Sequence, residues 1–124
     1  MAKILVVDDD VDLLESLKLL LSIHGFSVLA LNSADGIIEN LINYKPNLIL
    51  LDILIGDIDG RIVCQKIKTE TQYRNVPVIL YSSCTDLLTA YKLYRADACI
   101  EKPFDNDHLV STINSFQNSY LRVA

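Results

Sequence analysis

The sequence predicts an α/β domain in which a parallel five-stranded sheet carries helices on both faces. Short apolar runs of strand length alternate with segments of helical period along the whole chain. Five such βα units joined by short connections require parallel strands, because each crossover must be right-handed and must pack a helix back onto the sheet. The length, 124 residues, is that of one domain. A chain this long buries roughly two-thirds of its unfolded surface and needs no disulfide or structural metal to fold.

The first strand is the continuous run Ile4–Val7, β-branched and apolar on both sides as a fully covered strand requires. Asp8–Asp10 ends it. Leu13, Leu14, Leu17, Leu20 and Leu21 recur at helical spacing, and Gly25 stands where a helix C-terminus is expected. Phe26–Leu31 is the second strand. Ser33 is read as the N-cap of a helix bearing Ile37, Ile38, Leu41 and Ile42, closed off by Pro46. Leu48–Leu51 is the third strand and ends at Asp52. A loop through Gly56 and Gly60 leads to a helix with Ile62, Val63 and Ile67. Val76–Tyr81 is the fourth strand, followed by Ser82-Ser83 and a helix over roughly 85–95 with Leu87, Leu88, Tyr91 and Tyr94. Ala98–Ile100 is the fifth strand, ending at Lys102-Pro103. The last helix starts near Asp105 and shows Leu109, Val110, Ile113, Phe116 and Tyr120.

Composition narrows the function. Apolar residues make up 51% and charged residues 22%, which excludes disorder. A net charge of −5 without a basic run argues against a nucleic-acid surface or an anionic membrane. Cys64, Cys84 and Cys99 are scattered and odd in number, which reads as reduced thiols. With no signal-peptide pattern and no run of the ~20 apolar residues a bilayer span needs, the expectation is a soluble, cytoplasmic protein.

In open parallel sheets ligands bind beyond the carboxyl ends of the strands, where strand order reverses; for the order 2-1-3-4-5 that point lies between strands one and three. The residues at those ends are Asp8 and Asp9, Asp52, Ser82 and Lys102. Three carboxylates in one crevice repel unless a cation shares the site, and hard oxygen ligands in small number suit Mg²⁺. A carboxylate such as Asp52 can act as nucleophile toward a phosphoryl group, with Lys102 as a point charge and the Ser82 hydroxyl as a rotatable donor. Taken alone, Asp8 and Asp9 are better read as turn and cap chemistry. It is their register with Asp52, Ser82 and Lys102 that makes them a site. Asp10 and Asp12 are read as dipole partners of the first helix, Asp57 and Asp59 as solvated turn acids, His24 and His108 as surface residues, and the cysteines as small hydrophobes. Cys84, next to the cleft, is the thiol with some redox prospect, and Tyr91 and Tyr94 suit either helix packing or a partner face.

Four stretches, ILVVDDD at Ile4–Asp10, LILLDILIGDIDG at Leu48–Gly60, VPVILYSS at Val76–Ser83 and ACIEKPF at Ala98–Phe104, resemble the response-regulator receiver domains in content and order. The resemblance covers nearly all of residues 1–124 and implies one flavodoxin-like (βα)5 receiver domain. It implies Asp52 as phosphoacceptor, Asp9 as a direct Mg²⁺ ligand, Asp8 as a ligand acting largely through water, and the Leu54 carbonyl as a further ligand. Ser82 resembles the family's switch Ser/Thr, and Lys102 its lysine before a proline, a bond often cis in the family. The implied partners are a histidine kinase or histidine phosphotransfer protein, then a downstream protein or a missing output domain, with a phosphorylation-linked dimer left open. The output face implied is helix four, strand five and helix five.

The chain departs from the family pattern at Gly56, where Pro is common and the loop is expected to loosen, and at Asp57, where Gly is more frequent. Cys99 stands where an aromatic residue usually rotates on activation, and Cys84 where the family tunes the lifetime of the phosphorylated state. These departures motivate an alternative, a receiver-fold interaction domain independent of phosphorylation. A metabolic phosphohydrolase is disfavoured, since Leu54 occupies the place of the required general acid and no length remains for a cap. The expectation is therefore a signalling phosphoacceptor with slow self-dephosphorylation, not an enzyme. No output module follows the last helix and the sequence opens on Met1, so the expected output is protein contact or phosphorelay, unless the chain is a piece of a longer one.

Overall fold

The computed structural model describes the backbone of residues 2–123 and side chains as far as residue 117. In chain order the elements are β1 (Lys3–Val7), α1 (Val11–Ile23), β2 (Ser27–Leu31), α2 (Ile37–Asn43), β3 (Leu48–Asp52), β4 (Leu54–Ile55), β5 (Ile58–Asp59), α3 (Gly60–Thr69), β6 (Val78–Ser82), α4 (Thr85–Leu88), a 3₁₀ turn (Tyr91–Tyr94), β7 (Ala98–Glu101) and α5 (Asn106–Val123). The five long strands form one parallel sheet in the order β2-β1-β3-β6-β7, which is 2-1-3-4-5 when those strands alone are counted. β4 and β5 are a small antiparallel ribbon in the connection after Asp52, a feature the sequence pattern did not suggest.

Alternation along the strands builds two cores, because successive side chains point to opposite faces. Ile4, Val6, Leu48, Leu50, Ile79, Tyr81 and Ile100 meet Leu14, Leu17 and Leu21 of α1 and Leu109, Val110 and Ile113 of α5. Leu5, Val7, Ile49, Leu51, Val78 and Leu80 face α2, α3 and α4 through Ile37, Leu41, Cys64, Ile67 and Leu88. Asp10 caps α1 by accepting the Leu13 N–H, and Gly25 (φ +89°) ends that helix as the glycine there predicts.

The structure departs from the sequence pattern at three places. Ser33 does not cap α2; the chain makes a further turn, and the helix starts after Gly36, whose left-handed φ of +82° a side chain would resist. Of the four apolar residues read on this helix, Ile37 and Leu41 are buried while Ile38 and Ile42 lie on its exposed face, as does Ile62 on α3. The continuous helix expected over 85–95 is one α-turn followed by a 3₁₀ turn. Leu88, Tyr91 and Tyr94 are spaced by three. An α-helix advances only ~300° over three residues, whereas the 3₁₀ turn eclipses Tyr91 and Tyr94. Leu88 and Tyr91 pack on the sheet, and Tyr94 at the end of the 3₁₀ turn lies under the Arg61 guanidinium at 4.9 Å. Tyr120 of the last apolar stripe lies outside the described side chains.

Among the described residues, no helix is long and apolar enough to cross a membrane.

Candidate functional site: an acidic cradle at the strand ends

The parallel register brings the carboxyl ends of the strands level. Val7 pairs with Leu51, Asp52 with Tyr81, and Ser82 with Glu101. Asp8, Asp52 and Tyr81 each stand two residues beyond Val6, Leu50 and Ile79, so they continue the α1/α5 face of the sheet to its rim. Lys102 stands in the same relation to Ile100. Carboxylate oxygens of Asp8, Asp9 and Asp52 all lie within 4.8 Å of one another. The Lys102 ammonium is 2.9 Å from Asp8 Oδ2 and 3.3 Å from Asp52 Oδ2. Asp8 is fully buried and Asp52 is 5% exposed, while Asp9 faces solvent.

Burial and charge push the two buried acids apart. For Asp8, burial alone favours the neutral acid. The Asp10 N–H on Oδ1 (2.9 Å), the Tyr81 hydroxyl on Oδ2 (2.7 Å) and Lys102 outweigh it and hold Asp8 below the usual carboxylate value. For Asp52, burial and the negative charge of Asp8 dominate. Lys102 and the Leu54 N–H, 3.3 Å from Oδ1, offset only part, and the pKa rises to about 6. The cradle's own side chains thus carry more negative charge than one ammonium balances. Three hard oxygens at this spacing fit a divalent cation such as Mg²⁺, whose charge would remove the repulsion.

The remaining sequence-predicted residues take varied places. Ser82, 1% exposed, ends β6 beside Asp52, and its oxygen accepts the Cys84 N–H at 3.0 Å rather than bonding an acid. Leu54 opens the ribbon two residues past Asp52. The Lys102-Pro103 bond is cis. Gly56, left-handed at φ +58°, donates its N–H to Asp9 Oδ2 at 3.0 Å, a bond proline could not make. Asp57 is exposed, as a turn acid should be. Asp59 instead caps α3 through the Arg61 N–H and is gripped by the Arg61 side chain at 3.1 and 2.8 Å. His24 and His108 are both exposed, away from the cradle.

Two participants escaped the sequence reading. Tyr81 looked like an ordinary strand residue; its position one before Ser82, in phase with Asp8 and Asp52, was the available signal. Gly60 looked like a turn glycine. Its N–H bonds the Ile53 carbonyl at 2.6 Å, and a Cβ there would overlap the Asp52 carbonyl, so the backbone under Asp52 needs glycine.

Residues 4–114 match the family described as the response regulator receiver domain. This chain belongs to that family. The receiver domain is 35% identical over 118 residues to the sensory transduction protein BceR of Halalkalibacterium halodurans, covering 93% of this chain and 49% of that protein. It is 27% identical over 123 residues to Protein PilG of Pseudomonas aeruginosa, covering 98% of this chain and 91% of PilG. The fold superposes on the solved structure of a CheY-like response regulator receiver domain protein from Methanospirillum hungatei JF-1 with a TM-score of 0.89 and 26% identity, covering 100% of this chain and 99% of that one. The receiver domain spans about half the length of most of the curated relatives it matches, PilG being of similar length.

Proposed function

We propose that this receiver domain accepts a phosphoryl group on Asp52 from a histidine kinase or histidine phosphotransfer protein, and signals the change through protein contact. The observation that carries the reading is the convergence of three carboxylates within 4.8 Å with a lysine bridging the two buried ones. Asp8, Asp9, Asp52 and the Leu54 carbonyl are the proposed holders of Mg²⁺. Bound there, Mg²⁺ supplies positive charge that neutralises phosphoryl oxygens.

The chain's own residues do the rest. An Asp52 carboxylate oxygen attacks phosphorus as the bond from phosphorus to the donor's leaving group breaks; the leaving group keeps that electron pair and takes up a proton from solvent. The Lys102 ammonium, keeping its charge, shifts its ion pair from the Asp52 carboxylate to a phosphoryl oxygen, and the Ser82 hydroxyl donates to another. Phosphorylation replaces one carboxylate charge with a phosphoryl group carrying close to two, a net gain of about one negative charge together with three new acceptor oxygens, enough to shift local loops by electrostatics. The reading assigns the output to α4, the 3₁₀ turn, β7 and α5, and treats slow hydrolysis of the acyl phosphate as a timer, not as enzymatic turnover.

The test is to incubate the domain with acetyl phosphate and Mg²⁺ and weigh it intact. One added phosphoryl group, absent without Mg²⁺ and absent in Asp52→Asn, is expected. No mass gain, or a gain that survives Asp52→Asn, rejects the assignment. The second reading, a phosphorylation-independent interaction domain, is favoured by Cys99, a small half-buried residue on β7 at the position where the family resemblance implies an aromatic ring. Binding to a partner that ignores both phosphodonor and Asp52→Asn would select it.

A further inference from the structure

Tyr81 is fully buried, yet its polar and aromatic parts both meet the cradle. Its hydroxyl donates to Asp8 Oδ2 at 2.7 Å, the oxygen that Lys102 also contacts at 2.9 Å. The Lys102 ammonium lies 4.5 Å from the centre of the Tyr81 ring. Phe104, two residues beyond Lys102, meets the same ring edge-on, with centroids 6.2 Å apart and planes at 68°. Lys102 and Phe104 therefore grip Tyr81 from one segment, and Tyr81 reaches Asp8 from the next strand.

We propose that Tyr81 is a positioning residue of the acidic site: its hydroxyl fixes the Asp8 carboxylate, and its ring holds the Lys102 ammonium between Asp8 and Asp52. The proposal rests on the reading of the cradle as a Mg²⁺-dependent phosphoacceptor site. With Oδ1 taken by the Asp10 N–H and Oδ2 by Tyr81 and Lys102, Asp8 cannot turn without breaking a buried hydrogen bond. A groups-around-the-ligand arrangement of this kind orients a carboxylate before a cation arrives, so that binding does not have to order it. A lysine chain is long and flexible, and a ring face under its ammonium restricts it to the side of the cradle where both acids lie. The competing view is that Tyr81 is a large core residue whose hydroxyl merely needed a partner. Packing alone then makes Tyr81→Phe neutral at the site.

Two variants separate the parts. Tyr81→Phe keeps the ring and deletes the hydroxyl; Tyr81→Leu deletes both. Mg²⁺ affinity is measured by calorimetry without phosphodonor, the rate of acetyl phosphate labelling is measured at saturating Mg²⁺, and thermal melts monitor folding. Tyr81→Phe is expected to weaken Mg²⁺ binding by roughly tenfold, the low end for residues that orient metal ligands, with the saturated rate little changed. Tyr81→Leu is expected to lose the same affinity and also ~10-fold in saturated rate, as Lys102 loses its ring. In an Asp8→Asn background, Tyr81→Phe is expected to have no further effect on Mg²⁺ affinity. Unchanged Mg²⁺ affinity in Tyr81→Phe overturns the Asp8 half, and this variant decides even if Tyr81→Leu fails to fold. An unchanged saturated rate in folded Tyr81→Leu overturns the Lys102 half. A wild-type domain that binds Mg²⁺ but takes no phosphoryl group sinks the phosphoacceptor reading and the Lys102 half with it, while the calorimetric arm still decides the role of the hydroxyl toward Asp8.

Discussion

Asp52→Asn replaces one of two buried carboxylates that face each other across the cradle, and its effect on stability can be worked from the structure. Burial and the charge of Asp8 lift the Asp52 pKa from the ordinary 3.8 to about 6. A carboxyl group with a raised folded-state pKa contributes stability that is fully present below the unfolded value and is lost as pH rises through the folded value. For Asp52 that window runs from about pH 4 to about pH 6. At ~1.4 kcal/mol per pK unit, the metal-free protein loses about 3 kcal/mol across it. Asparagine carries no charge and escapes the loss. In chelator at pH 7.5 the variant should therefore be more stable by about 3 kcal/mol, a melting temperature higher by roughly 10 °C for a domain of this size. At pH 4 the two proteins should melt together, because the wild-type group is then largely protonated in the folded state. Asp8, held ionised by the same neighbours in both proteins, cancels in the comparison. Urea and thermal unfolding followed by circular dichroism at pH 4, 5.5 and 7.5 make the test. Equal stability at pH 7.5, or a gain that persists undiminished at pH 4, would refute the electrostatic argument.

Further outcomes follow from packing at Gly60 and from the burial of Cys64. Gly60→Ala should cost at least ~2 kcal/mol, because its Cβ would overlap the Asp52 carbonyl and the loop must shift, as read by urea unfolding. Mg²⁺ affinity measured on the same variant should fall if that shift moves Asp52. Cys64 is fully buried, and burial raises its thiol to about 11, so it should resist Ellman's reagent at pH 8 while half-buried Cys84 and Cys99 react; all three should react in urea. Cys64's raised pKa also means its contribution to stability is intact below about pH 9 and is lost as pH rises through about 11, which alkaline unfolding of Cys64→Ala against wild type can check.

The strands and helices were legible in the sequence because their signals are local. A residue two or four places away decides whether Leu48–Leu51 reads as a covered strand or Leu13–Leu21 as a helix stripe. Short βα connections then fixed the parallel sheet, and with it the acids, the serine and the lysine at its carboxyl edge. What stayed hidden depends on residues far apart in the chain. Asp8 and Asp52 are alike in sequence, yet one sits below the ordinary carboxylate value and the other at about 6, because Tyr81, 73 residues from Asp8, and Lys102, 94 residues from it, share their bonds unequally. The need for glycine at position 60 comes from the carbonyl of Asp52 passing against it. The break in the 85–94 helix comes from where Tyr91 and Tyr94 must pack, on the sheet and against Arg61. Periodicity determined which segments are elements and which residues reach the rim. Only folding decided how much charge that rim buries and which neighbours compensate it, since desolvation and Coulomb energies depend on distances through space that no local pattern encodes.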